Sequence, residues 1–214
     1  MHDPIPQMLT KRAGRQRSSE KREAILEAAS RLFLQRGLQG ASMDRVAKEA
    51  GVSKQTVYAH FENKDELFCA CIRDKVTSHG FDGNAMPTGE SAREILLAMV
   101  RQFMRLIFDP EVVSMYRVVT AEAVAHPRIA ALFYETGPQA TVAAVANALQ
   151  ALVARGLLRE HDSVAGAWRL LNMCFGSFHV RLLLNLIEQV PREELDAHLR
   201  LVVEDFIALY GTQP

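Results

Sequence analysis

The sequence predicts an all-α protein of two domains and about nine helices: an N-terminal three-helix helix-turn-helix domain, then a larger helical domain. Three observations carry this. Ala and Leu abound while β-branched runs are few and aromatic residues make up 7%, which favours helix over strand. Residues 42–67, SMDRVAKEAGVSKQTVYAHFENKDEL, hold two short capped apolar patterns around a glycine turn. The formal net charge is zero, yet residues 1–64 carry 12 Lys or Arg against 7 Asp or Glu, and residues 65–214 carry 13 against 18. One end is suited to meet phosphates and the other is not.

Residues 1–18 contain Pro4, Pro6 and Gly14 without periodicity, so disorder is expected at least as far as Thr10. The basic run Lys11, Arg12, Arg15, Arg17, Lys21 and Arg22 makes this segment a flexible basic arm. Alone it would read as a solvated tail; placed before a helix-turn-helix it is expected to touch the DNA backbone or the adjacent minor groove. A first helix is expected from about Ser19 to Arg36, with Ile25, Ala28, Ala29, Leu32 and Phe33 on its inner face and Gly37 as the left-handed residue that ends it.

Ser42 then caps a helix whose Val46 and Ala47 face inward, and Ala50-Gly51 supplies a turn that needs positive φ. Ser53 caps the next helix because its hydroxyl oxygen accepts from a free N–H of the first turn. Val57 and Phe61 give that helix a buried edge, which leaves Lys54, Gln55, Thr56, Tyr58 and His60 pointing outward. Two such helices make a helix-turn-helix, whose second member enters the major groove. Lys54, Gln55 and Thr56 sit at the end that approaches base edges; Gln pairs with adenine and Lys donates to guanine acceptors. Asn63 and Glu66 form a capping box for a helix that starts at Lys64.

The run VAKEAGVSKQTVYAHFENKDEL resembles the DNA-binding signature of the TetR family of transcriptional regulators, over roughly Glu23 to Phe68. The resemblance implies phosphate contacts from Tyr58 and Lys64, with Ser42 beside them. The sequence departs from the family at Gln55, where a small residue is common, and at Ala59, where a second aromatic is common. The contacts usual at those two positions therefore do not transfer. DNA-binding residues are expected to be Ser42, Ser53, Lys54, Gln55, Thr56, Tyr58, His60 and Lys64. The domain boundaries follow: arm 1–18, DNA-binding domain 19–64, ligand-binding and dimerisation domain 65–214.

A linking helix is expected from Lys64 to Ser78, and residues 80–89, rich in Gly, form the clearest loop. Helices are expected over about 90–108, 111–125, from Pro127 with a break at Gly137-Pro138 and on to about Arg155, 162–189, and from Pro191 to Tyr210. The last two carry apolar stripes. Trp168 and Leu182, with Leu195, Leu199, Val202 and Phe206, are expected to pair with their symmetry mates in a four-helix bundle, the alternative being burial within one chain.

The second domain is rich in soft, large side chains. Met99, Phe103, Met104, Phe108, Met115, Tyr116, Phe133, Met173, Phe178 and His179 are assigned to an apolar ligand pocket, partly on the resemblance; taken singly, each is also a good core residue. Only Arg105, Arg117 and Glu122 interrupt the pattern, which favours a neutral or weakly charged hydrophobic effector over a sugar or nucleotide.

No Gly-rich phosphate loop, GxSxG, HExxH or CxxC occurs, so no enzyme, cofactor or metal site is expected. Cys69, Cys71 and Cys174 read as small buried thiols, with redox sensing the alternative. No apolar run reaches the ~18 residues of a membrane span, and a cytoplasmic location follows. The function implied is a homodimeric repressor that binds a pseudo-palindromic operator and is released by a small hydrophobic effector; the alternative is a ligand-independent regulator or activator.

Overall fold

The structure is a computed structural model that describes residues 6–81 and 87–212, with side chains from Arg17 onward. The chain folds as two compact units, Met1–Cys71 and Ile72–Pro214. Among the described residues there are eleven α-helices, one π-helical turn and a single isolated β-bridge, Leu158 with Gly211.

The first unit contains α1 (Pro6–Gly40), α2 (Met43–Glu49), α3 (Lys54–His60) and the first half of α4 (Lys64–Ser78). α1 begins far upstream of Ser19, so the expected disorder does not hold over Pro6 to Thr10; residues 1–5 lie outside the described residues. The run from Gln7 to Arg12 holds no Pro or Gly, and helix propagates back through it once the downstream turns exist. At Gly37 φ is 68° and ψ 173°, so the helical path ends there as its sequence position required.

Ser42 accepts from the Arg45 N–H at 3.4 Å and Ser53 from the Thr56 N–H at 3.1 Å, which fixes where α2 and α3 start. Gly51, with φ 66°, makes the turn between them. Asn63 Oδ1 accepts from the Glu66 N–H at 2.9 Å, and Glu66 Oε2 accepts in return from the N–H of Glu62 at 2.6 Å, one residue before the capping partner the sequence suggested. The core here is Ile25, Ala28, Ala29, Leu32, Phe33, Val57, Phe61, Leu67 and Phe68, with Phe33 and Phe68 edge to face at 5.5 Å. Each of the larger side chains contributes about 2–3 kcal/mol by leaving water.

The second unit contains the rest of α4, then α5 (Ala92–Ile107), α6 (Pro110–Glu122), α7 (Pro127–Tyr134), the π turn Glu135–Gln139, α8 (Ala140–Ala154), α9 (Ser163–Phe175), α10 (Phe178–Leu183) and α11 (Arg192–Tyr210). Ser91, Asp109 and Asp162 cap α5, α6 and α9 with side-chain oxygens. α5 packs on α6, α9 and α11, and α8 packs on α9, around Leu96, Met99, Val100, Val145, Leu149, Leu170 and Phe206.

Two expectations are corrected. Gly137-Pro138 does not break the chain of helix; Pro138, which has no N–H to donate, is absorbed in the π turn, whose wider ring relieves the clash with the preceding turn. The helix expected over 162–189 divides at Gly176, where φ is 47° and ψ −140°, and α10 ends at Leu183. That division, together with α7 and α8 on either side of the π turn, gives eleven α-helices where about nine were expected. The loop 80–89 is present at Gly80, Phe81 and 87–89, while 82–86 lie outside the described residues.

Candidate nucleic-acid interface

α3 turns its apolar edge inward, with Val57 wholly buried, and leaves Lys54, Gln55, Tyr58 and Ala59 exposed. Ser53 and Ser42 are exposed at the two helix starts; Thr56 and His60 are half-buried at the edge. Ser53 Oγ and Thr56 Oγ1 also lie 2.8 Å apart, so the N-terminal end of α3 is held by two hydroxyls as well as a cap. An open groove of about 460 Å³ runs along this helix, lined by Arg17, Ser18 and Lys21 of α1 and by Ser53, Gln55, Thr56, Ala59 and His60. Arg17 and Lys21 of the basic run thus border the outward face of α3.

Two lysines have partners that the sequence did not reveal. The Lys54 ammonium contacts Asp44 Oδ1 of α2 at 2.8 Å and lies 5.9 Å from the Tyr58 ring centroid. The hydrogen bond and charge of Asp44 raise its pKa. The Lys64 ammonium, half-buried, donates to the carbonyl oxygens of Leu38 at 2.6 Å and Ala41 at 3.3 Å. Periodicity carries no sign of either contact, since each joins separate elements.

The residues assigned to a ligand pocket are gathered in the second unit. Met99, Phe103, Met104, Met115, Phe133 and Phe178 are buried; Phe108, Tyr116, Met173 and His179 are half-buried. Tyr116 packs edge to face on Phe133 at 4.8 Å and on His179 at 5.4 Å, and His179 stacks on Phe175 at 4.5 Å. Burial pushes the Tyr116 phenol up and the His179 imidazole down, so both are favoured as neutral groups. Two further groups of this unit went unassigned from sequence: Phe175, which stacks on His179, and Glu122, whose Oε2 is buried without a hydrogen-bond partner.

The stripe assigned to dimerisation needs correction. Leu199, Val202 and Phe206 are 1%, 3% and 0% exposed within the single chain, and α11 packs on α5 and α9. Leu182 is buried too, so these four are core of one chain rather than a surface. Trp168, stacked on Tyr134 at 6.3 Å, and Leu195 are half-buried. The apolar groups that α9 and α11 do expose are Val164, Leu201 and Leu209. Among the described residues no group of three potential metal ligands occurs, and no helix is long and apolar enough to cross a membrane. All three cysteines are buried, and none is in a disulfide.

A capped helix pair joined at a positive-φ glycine, with polar side chains on the outer face of its second helix, defines a helix-turn-helix DNA-binding regulator. The chain belongs to the TetR family. Residues 25–71 match the model of bacterial regulatory proteins of the tetR family, and residues 94–212 match that of the AefR-like transcriptional repressor C-terminal domain. The transcriptional activator FasR of Mycolicibacterium smegmatis is 35% identical over 128 residues, which is 51% of this chain and 58% of that one. The regulator AcrR of Shigella flexneri is 42% identical over 57 residues, 27% of this chain and 26% of that one. The chain therefore matches just over half the length of the first and about a quarter of the second. Among solved structures, a TetR-family regulator from Mesorhizobium loti is 28% identical with a TM-score of 0.76, covering 92% of this chain and 99% of that one. The flavonoid-responsive regulator FrrA is 29% identical with a TM-score of 0.71, covering 92% and 100%. The family consists of transcriptional regulators, not enzymes.

Proposed function

We propose that this regulator is a cytoplasmic, ligand-responsive repressor that binds a pseudo-palindromic operator as a homodimer and leaves it when a small, largely apolar effector enters the second unit. The observation that carries the DNA reading is the exposure of Lys54 and Gln55 at the capped start of α3, beside a groove edged by Arg17 and Lys21. Lys54, Gln55 and Thr56, with Ser53 and His60 at their flanks, read base edges. Ser42, Tyr58 and the remaining hydrogen of the Lys64 ammonium meet phosphates. Effector response is supported by the aromatic cluster around Tyr116 and His179 and by the flavonoid response named for FrrA. Dimerisation is assigned to the exposed faces of α9 and α11, through Val164, Leu201 and Leu209 with Trp168 and Leu195, in place of the buried stripe. The residue spans are an arm through Ser18, a DNA-binding domain to about Lys64 and a ligand-binding domain beyond.

A second reading has its own support: FasR is an activator, so the same operator contact here can raise transcription. Selection of binding sites from random DNA followed by a reporter assay tests both. A two-fold symmetric site whose occupancy lowers transcription supports the repressor, and raised transcription supports the activator. Selection that yields no preferred sequence overturns the specific-readout proposal.

A further inference from the structure

Lys54 opens α3, and Asp44 lies in the first turn of α2, ten residues earlier. The two helices are packed together and anchored by buried Val46, Ala47 and Val57, so the positions of both residues are fixed by the fold. The Lys54 ammonium lies 2.8 Å from Asp44 Oδ1 and 3.0 Å from Oδ2, and the Tyr58 ring borders it with its centroid 5.9 Å away. Arg45, the cation next to Asp44 in the chain, donates instead to the Gly40 carbonyl at 3.3 Å. The Lys54 and Asp44 side chains are 60% and 63% exposed, and an ion pair so open to water contributes little to folding. Its effect is to hold a carboxylate within one hydrogen bond of the ammonium that α3 carries on its exposed face. Resting on the reading above, in which Lys54 meets base edges, we propose that Asp44 is a specificity-determining residue: with Lys54 it reads both members of one G·C pair, Lys54 donating to guanine and Asp44 accepting from the paired cytosine.

The spacing of the two charges matches that of the groups they would meet. Guanine O6 and cytosine N4 are hydrogen-bonded to each other within a base pair, so they lie about 3 Å apart on the major-groove edge. The ammonium and the carboxylate offer a donor and an acceptor at that same separation. Their bonding capacity suffices. An ammonium has three hydrogens, one for Asp44 and two for guanine O6 and N7, and a carboxylate oxygen bonded to Lys54 keeps a lone pair for the outer N4 hydrogen. Closure on DNA removes water from both charges and strengthens their preference for one order of donor and acceptor. C·G and A·T reverse that order, setting an amino group against the ammonium and an oxygen against the carboxylate. T·A keeps it through O4 and N6, but it has a methyl group where guanine has N7 and places adenine N7 beside the carboxylate. G·C is therefore favoured, with T·A second. The same carboxylate repels phosphates whatever the sequence, so Asp44 lowers affinity for all DNA while raising discrimination.

The test is site selection from random DNA with the full chain, followed by titration of single-base variants of the selected site with the parent, Asp44→Ala, Asp44→Asn and Lys54→Ala. The parent is expected to show one pair in each half-site at which G·C binds roughly tenfold or more tighter than C·G. Asp44→Ala should bind every sequence more tightly, but least so those with G·C at that pair, so the ratio falls several-fold. Asp44→Asn, which keeps an oxygen acceptor and drops the charge, should share the general tightening and keep part of the ratio. Lys54→Ala should lower the ratio at the same pair. Melting temperatures close to the parent's control for folding. A uniform gain in Asp44→Ala, with the preference for G·C intact, reduces Asp44 to a general repulsion and overturns the proposal. A loss of preference in Asp44→Ala at a pair that Lys54→Ala leaves untouched overturns it as well. A parent that selects a site with no such pair leaves the operator reading standing and overturns this proposal alone, whereas a parent that selects no sequence overturns both.

Discussion

The ammonium of Lys64 lies 2.6 Å from the carbonyl oxygen of Leu38, so one lysine at the start of α4 closes the exposed end of the turn that leads into α2. The same ammonium reaches the Ala41 carbonyl just before the Ser42 cap. Two of its three hydrogens are therefore engaged by backbone, and one remains for the proposed phosphate contact.

Lys64→Met should then have two separate effects. Loss of the two backbone bonds should lower stability by about 1–3 kcal/mol, measured by denaturant titration. Loss of the remaining contact should reduce the salt slope of operator binding by roughly one unit. A lower slope with unchanged stability would show that the Leu38 and Ala41 bonds carry no weight.

Gln55→Ala should relax preference at one base pair of each half-site by about 1–3 kcal/mol while leaving the salt slope unchanged. Repeating the site selection with the variant checks this. Asp44→Ala, which frees Lys54 from its 2.8 Å partner, should instead tighten binding to all DNA sequences.

Two leucines of α11, two positions apart, face different surroundings. Leu199 is 1% exposed, and Leu199→Ala should cost about 2–5 kcal/mol of stability. Leu201 is 65% exposed, and Leu201→Glu should leave stability close to that of the parent while shifting light scattering from dimer to monomer. A dimer that survives Leu201→Glu would place the interface elsewhere.

Cys174 offers a clean negative control for redox sensing. Its thiol is fully buried, donates to the Leu170 carbonyl, and is pushed up to about 12. At pH 8 roughly one in ten thousand such groups is thiolate, so thiol-specific reagents should leave Cys174 unmodified in the folded chain. Mass spectrometry after labelling, with an unfolded sample as reference, reads the outcome.

Asp196 supplies a pH signature. The Arg101 guanidinium foremost, with Arg200 beside it, holds its carboxyl below its ordinary value of 3.8, while loss of solvation opposes them. A carboxyl depressed on folding stabilises the fold above its unfolded pKa and loses that contribution as pH falls through the folded value. Asp196→Asn should therefore lower the melting temperature at neutral pH, and the difference should vanish well below pH 4.

The N-terminal half of this architecture was legible because each signal there is local. Ser42, Gly51, Ser53 and Asn63 occupy caps and turns defined within four residues of themselves, and the structure uses each in that way. Contacts between elements were not legible. Asp44 and Lys54 lie on different helices with no shared period, and Lys64 reaches back 26 residues to Leu38. The stripe Leu199, Val202, Phe206 was read correctly as buried but assigned to the wrong partner. An apolar face at helical spacing says that something covers it, and does not say whether that is α5 of the same chain or a second copy. Glycine was the other source of error: Gly176 ends a helix that its neighbours would have continued, while Gly137 lets one pass.

The π turn at Glu135–Gln139 sets a phase as well as a path. Buried residues recur every four positions through Ile129, Phe133, Gly137, Thr141, Val145 and Leu149, a longer period than an α-helix keeps on one side. Over that distance an unbroken α-helix, advancing about 100° per residue, would wind its stripe away from the core. The wide turn works as a one-residue register shift that brings α7 and α8 back into alignment. The segment therefore tolerates substitution far better than a change in length: one residue removed between Glu135 and Gln139 would rotate every side chain of α7 by more than a quarter turn, and Phe133 would leave Tyr116.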